Sequence, residues 1–346
     1  MKLGLALPTM SNGWVISHNS PKFSPDWTLI RDAALTAERH GFDFLLSTVQ
    51  LVGFAGPTKH FHETADSFAI MAGLAAVTER VTLYGSMATL TTPPPLAAKQ
   101  AQTISDISGG RFGLNIVSGL EKGMYSQMGI WPGDQHFQTR YDHATEYATI
   151  VRELWETGRS DFKGDYFQMD NCHLGPTPSH PIEIVCAGQS DRGTQFCAEF
   201  GDYQLAIGKL EPEEMKQWND RLQKAAAAAG RTCGMHALYT IVLRDTVAEA
   251  EEAVESWREN QDYETVAGLA GREYGDGDDE ATKNIYYNSD TFMLSFPTIV
   301  GDAETVAEKL RVLGGVEGVS GILMTFQDYT TDVDRFGREV VPLLRK

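Results

Sequence analysis

Short apolar runs recur almost from end to end of the chain, each separated from the next by a stretch of helical length. The runs occupy residues 3–7, 42–47, 81–86, 112–117, 182–187, 203–207, 238–243 and 321–326. Between them a 3.6-residue periodicity predicts helices over 26–39, 64–77, 95–107, 140–156, 191–200, 212–229, 247–259, 303–312 and 333–344. Alternation of this kind calls for a parallel sheet with right-handed crossovers. Closing that sheet into a TIM-type (β/α)8 barrel accounts for eight strands better than an open doubly wound sheet does. The 346 residues are then read as one domain, 1–346. The glycine cluster at 314–321 follows a helix and precedes a strand, the reverse of a dinucleotide-binding loop, so it reads as an αβ connection.

Two interruptions break the alternation, at 118–139 and about 260–296. In a barrel the loops after strands build the active face, so both are candidate lids. The acidic stretch 274–280 inside the second does not match an EF-hand and reads as a solvated loop.

Net charge is −18, with no basic stripe, which argues against nucleic acid or an anionic membrane as partner. An anionic ligand must therefore find local positive potential. The first apolar run stops at Pro8, too short for a signal peptide, and no run approaches a membrane span. Cys172, Cys186, Cys197 and Cys233 show no CxxC spacing and read as free buried thiols. The expectation is a cytoplasmic protein.

One segment offers that local potential. After residues 182–187, small residues lead to Gln189, then Ser190 and Asp191 open a helix, where Ser190 can add a hydroxyl donor and Arg192 a charge. Such a turn is either a plain N-cap or an anion site with free backbone N–H groups at the positive end of a helix dipole. It nearly fits a nucleophile elbow, but Arg192 occupies a place that needs a small residue. Arg140 and Tyr141, opening the helix after the first interruption, either grip a phosphate or are a surface Arg beside a core Tyr. Asn115 lies within an apolar run, where an amide needs partners on both faces. Ser86, Thr48 and Gln50, at the ends of neighbouring runs, would face the same cavity. His60 and His62 lack the distant ligands a metal would require, so no metal is expected.

Several stretches resemble the bacterial luciferase-like flavin monooxygenases, and within them the pyrimidine-ring-opening branch. They include Asn12-Gly13-Trp14, Ser108-Gly109-Gly110-Arg111-Phe112-Gly113, Gln127-Met128-Gly129-Ile130-Trp131-Pro132-Gly133-Asp134 and Ala187-Gly188-Gln189-Ser190. The likeness runs to about residue 208 and then thins until 323–326.

The resemblance implies a luciferase-like barrel that takes FMNH2 from a separate flavin reductase fed by NADH or NADPH and reacts it with O2 through a flavin peroxide. It implies a homo-oligomer, dimer or tetramer. Carried over by position, Val49, Gln50, Asn115, Arg140, Tyr141, Gln189 and Ser190 would hold FMN. Thr48, Ser86 and Asn115 would form the catalytic oxygen pocket, and Gln50 with Leu120 would meet the substrate. Thr48 replaces a Met of the relatives, Gln50 a Lys, Ser86 a Thr, Leu120 a Trp and Met124 a Glu. Loss of the Lys charge and the Trp face points to a small N-heterocycle or amide other than uracil itself. Open alternatives are a luciferase-like enzyme for a sulfone, haloaromatic or flavin ring, and a flavin-binding protein without turnover.

Overall fold

The computed structural model describes residues 1–54, 56–270 and 296–345. Its strands are β1 (Lys2–Ala6), β2 (Phe44–Ser47), β3 (Thr82–Ala88), β4 (Phe112–Val117), β5 (Arg159–Ser160), β6 (Cys172–His173), β7 (Glu183–Cys186), β8 (Tyr203–Ile207), β9 (Gly234–Leu243), β10 (Thr298–Gly301) and β11 (Val319–Thr325). The helices are α1 (Trp27–Arg39), α2 (Ser67–Val77), α3 (Pro94–Ser108), α4 (Lys122–Ser126), α5 (His136–Thr157), α6 (Asp191–Phe200), α7 (Pro212–Ala228), α8 (Val247–Glu259), α9 (Tyr263–Ala270), α10 (Ala303–Gly314), α11 (Asp332–Glu339) and α12 (Val341–Leu344).

Strands β1, β2, β3, β4, β7, β8, β9 and β11 pair in parallel in that order, and β11 returns to β1. The sheet is closed. These are the eight expected runs, so the barrel follows from the alternation. Strand β10 is additional. It pairs with β9 from Thr240 to Leu243, beyond the last β8 partner at Leu238. Four residues gave it too little signal to stand out.

Side-chain alternation sorts the barrel into an inside and an outside. Leu3, Leu5, Leu45 and Leu83 face the helices in the main core. Ala6, Phe44, Leu46, Tyr84, Val185, Leu238 and Leu323 fill the interior. Large rings fit there only because glycines yield space: a Cβ on Gly4 would lie 2.2 Å from the Phe44 ring, and one on Gly113 2.5 Å from Tyr84. At the N-terminal end His236 is stacked between Phe44 and Tyr203, with centroids 4.4 and 4.2 Å away. Burial drives its imidazole down to about 3, so it is neutral.

Several expected boundaries move. β9 starts at Gly234, four residues before the expected run, because polar His236 interrupts the apolar signal. α5 starts at His136, so Arg140 and Tyr141 lie a turn inside that helix instead of opening it. The final helix is broken at Val340, ahead of Pro342. The interruption at 118–139 is partly helical, carrying α4 and the start of α5. Of the second interruption, residues 260–270 and 296 are described, and the acidic stretch 274–280 lies outside the described residues. No helix among the described residues is long and apolar enough to cross a membrane. Cys186, Cys197 and Cys233 are buried free thiols, and Cys172 is half-buried.

Candidate active site

One pleat above the apolar plug the inward-facing positions turn polar. The β2 row passes from Phe44 and Leu46 to Thr48 and Gln50, the β3 row from Tyr84 to Ser86, and the β4 row from Gly113 to Asn115. These polar side chains line a chamber of about 290 Å³ at the C-terminal ends of the strands. Its apolar wall is aromatic. Trp14 lies 4.7 Å from Phe61 and 4.5 Å from Phe296, and Phe54 lies 4.7 Å from Phe61 (ring centroids).

Ser86 and Asn115 are register partners across β3 and β4. The Ser86 hydroxyl lies 2.6 Å from the Ser47 carbonyl, an acceptor only, so its proton goes there. Asn115 Nδ2 must then donate to Ser86 Oγ, at 2.7 Å, which fixes the amide orientation. Asn115 Oδ1 is left buried with no partner. Such an orphan costs about 1–3 kcal/mol until a donor meets it, which marks a place for a ligand. The Thr48 hydroxyl lies 3.2 Å from that of Thr9.

A second chamber of about 220 Å³ shares Val49, Gln50, Val117, Glu121 and Ala187 with the first. It reaches Leu120, Met124, Arg140, Tyr141 and Gly188. Ser190 caps α6, its Oγ accepting from Gly193 N–H at 3.1 Å. Tyr141 brings its phenol beside the Ser190 and Ser118 hydroxyls, and burial raises its pKa, so it stays a hydrogen-bond donor. The Arg140 guanidinium is buried 4.8 Å from the Tyr141 ring centroid. A Cβ on either Gly188 or Gly193 would sit 2.5 Å from the Tyr141 hydroxyl, so the turn closes only with glycine at both positions. His136, a turn before Arg140, holds the Gly119 carbonyl at 3.0 Å and ties the first interruption to α5. Serine, phenol, guanidinium and helix N-terminus together form a cradle of donors and positive charge that suits an anion.

The structure thus gathers Thr48, Val49, Gln50, Ser86, Asn115, Leu120, Arg140 and Tyr141 around two joined chambers, with Ser190 beside Tyr141. Two expected contributors are turned elsewhere. Gln189 accepts the Ile207 N–H on its side-chain oxygen, and so shapes the turn. Arg192 is not part of the cradle, because it is paired with Asp142 at the surface. His60 is buried, with one ring nitrogen 2.7 Å from the Thr58 hydroxyl and the other 2.7 Å from the Val15 carbonyl. It ties the loop bearing Phe54 and Phe61. Sequence reasoning missed Glu121, whose carboxylate borders both chambers beside the Gln50 amide, and it missed the aromatic wall. The only signal for Glu121 was its place just past the end of β4.

The family described as luciferase-like monooxygenase matches residues 1–316. The chain is 40% identical to the pyrimidine monooxygenase RutA of Rhizobium rhizogenes, with 100% of this chain and 96% of the relative covered. It is 41% identical to the RutA of Cronobacter turicensis, covering 100% and 93%. The likeness therefore spans the whole chain, past residue 208 as well as before it. Among solved structures, the EDTA monooxygenase EmoA of Chelativorans sp. BNC1 superposes with a TM-score of 0.83 at 19% identity, covering 100% and 93%. A riboflavin lyase, RcaE, superposes with a TM-score of 0.82 at 20% identity, covering 100% and 91%. These two share the fold.

Proposed function

The chain belongs to the luciferase-like monooxygenases, which use reduced flavin and O2, and on that premise we propose that it oxygenates a small N-heterocycle or amide with FMNH2 from a separate reductase. The pyrimidine-acting relatives support an oxidative, pyrimidine-like ring opening. The proposal includes a reductase using NADH or NADPH, a cytoplasmic setting and a homo-oligomer, dimer or tetramer. One observation carries it: a phosphate cradle continuous with a chamber that holds an orphaned buried amide oxygen.

The residues present fit FMN. Ser190, Tyr141, Arg140 and the N–H groups opening α6 would hold its phosphate, where a Cβ on Gly188 would intrude. Val49, Gln50 and Asn115 would face its ring, and Gln189 would support the turn. Reduced FMN, when bound, supplies the two electrons that let one atom of O2 leave as water while the other enters substrate.

The chain's own residues divide the remaining tasks. Asn115 keeps a second Nδ2 hydrogen beyond the one given to Ser86, and Thr48 adds a hydroxyl, so both offer donors to a developing oxyanion. Ser86 is a positioning residue, since its proton is committed to Ser47. Trp14, Phe54, Phe61 and Phe296 keep water from the chamber. The test combines the protein with a flavin reductase, NADH, FMN and 18O2 against a panel of pyrimidines, other N-heterocycles and amides. One labelled oxygen in a product is the expected result. Oxygen uptake no greater than free-FMN autoxidation across the panel contradicts the proposal and leaves a flavin-binding protein without turnover.

A further inference from the structure

Three stretches meet beside the aromatic wall: the segment bearing Trp14, the loop bearing Phe54 and Phe61, and the start of α9. A carboxylate outside both chambers fastens two of them together. Asp262, at the head of α9, is buried together with Thr58 of the loop and Thr265 of the helix. Its Oδ1 takes the Thr265 N–H and its Oδ2 the Thr58 N–H, each at 3.0 Å. Oδ2 also lies 2.6 Å from both threonine hydroxyls. Burial opposes its charge, but the donors of Thr265 and Thr58 outweigh that and hold the carboxyl well below the usual carboxylate range.

An ordinary helix cap would engage Thr265 alone. Here the second oxygen is given to Thr58, 204 residues away in the chain. A backbone N–H faces each oxygen, so two acceptors are needed, and an amide would turn its own N–H against one of them. The approach is close enough that a Cβ on Gly56 would lie 2.0 Å from Thr265 Oγ1. Beside this clasp Val266 packs with Ile16 and Phe54, and the Asp262 N–H reaches the Ile16 carbonyl at 3.2 Å.

We propose that Asp262 is a positioning residue for the oxygenation: by clasping the loop to α9 it holds Phe54 and Phe61 against Trp14 and keeps water from the flavin. This rests on the flavin-site reading above. Where water reaches the ring, FMNH2 passes two electrons and two protons to O2 and ends as FMN and H2O2.

Two measurements test the clasp, the first without flavin. Amide hydrogen exchange over residues 56–62 should speed up about tenfold or more in Asp262→Asn, the scale of one lost hydrogen bond to a charged acceptor, with β1–β4 protected as in the wild type. The second mixes O2 with FMNH2 bound to excess protein, substrate absent. H2O2 release should be several-fold faster in Asp262→Asn and Thr58→Val, and near the wild-type rate in Thr58→Ser, which keeps the hydroxyl. Unchanged exchange over 56–62, exchange raised throughout the barrel, or wild-type peroxide release in both Asp262→Asn and Thr58→Val overturns the inference. If Asp262→Asn does not fold, the two Thr58 variants decide by the same measurements. Failure of the wild type to bind FMN is a separate outcome, and it removes the flavin-site reading together with the role proposed for Asp262.

Discussion

At the N-terminal end of the barrel, Glu183, Asp202 and Tyr203 border an open depression of about 500 Å³, larger than either chamber at the opposite end. Its polar groups are answered from within. Glu183 takes the Tyr84 hydroxyl, and Asp202 takes the Ile184 N–H at 2.8 Å with Arg231 3.6 Å away. Tyr203 accepts from Lys2 at 3.1 Å. His236 Nε2 has no partner, but the ring is clamped between Phe44 and Tyr203 and does not border the depression. At the C-terminal end, Asn115 lines the chamber and its buried Oδ1 is unanswered, and the capped end of α6 stands beside Tyr141. Volume alone would choose the N-terminal end. Unfinished hydrogen bonding points instead to the C-terminal end, where we propose the site.

The contrast breaks most visibly at the cradle. Gly188→Val places side-chain atoms where Tyr141 lies, and FMN affinity should fall by about a hundredfold in a fluorescence titration, beyond the cost of ordinary overpacking. Next comes Asn115→Leu, which removes a donor and the orphaned oxygen together. Product formed per NADH should fall by about a hundredfold, the usual scale for one lost oxyanion donor. Ser86→Ala should cost less, roughly tenfold in coupling, because Asn115 loses only its anchor. Ser86→Thr keeps the hydroxyl and should restore most of it. If Ser86→Ala is as damaging as Asn115→Leu, Ser86 acts directly on the chemistry and the positioning role is wrong.

The smallest functional effect belongs to the other end. His236→Leu should leave FMN affinity and coupling within about twofold, since it lies outside both chambers. Its signature is in stability. A buried histidine lowered from 6.5 to about 3 favours the folded state fully above pH 6.5. As pH falls from there toward 3 the unfolded chain takes up the proton first, and that stability is lost. His60 and His143, each lowered to about 4 by burial, add losses over the same range. Melting temperature measured from pH 7 to pH 4 should fall less steeply in His236→Leu than in the wild type. Parallel curves would mean that His236 is not held neutral in the fold.

How much of this was legible beforehand follows from the range of each interaction. The barrel strands were readable because a short apolar run is a local signal, and α6 because Ser190 and Asp191 mark a helix start in the sequence itself. The polar row of Thr48, Ser86 and Asn115 was readable for the same reason, one pleat above apolar positions. The Ser86–Asn115 pairing was not, because inter-strand register decides which residues face each other. The aromatic wall draws on Trp14, the loop bearing Phe54 and Phe61, and Phe296, three stretches far apart in the chain that meet only in the closed fold. Glu121 was hidden among the acidic residues of an irregular segment, and Arg192 looked like a ligand until Asp142 was seen beside it.

The central claim is that the mouth of the barrel, with α6 as its phosphate anchor, is a flavin site. Titrating FMN while following its fluorescence, in the wild type, Gly188→Val and His236→Leu, tests it most directly. The account predicts saturable quenching in the wild type and His236→Leu, and loss of it in Gly188→Val with the fold intact by circular dichroism. Equal affinity in all three proteins, or no quenching in the wild type, would contradict it.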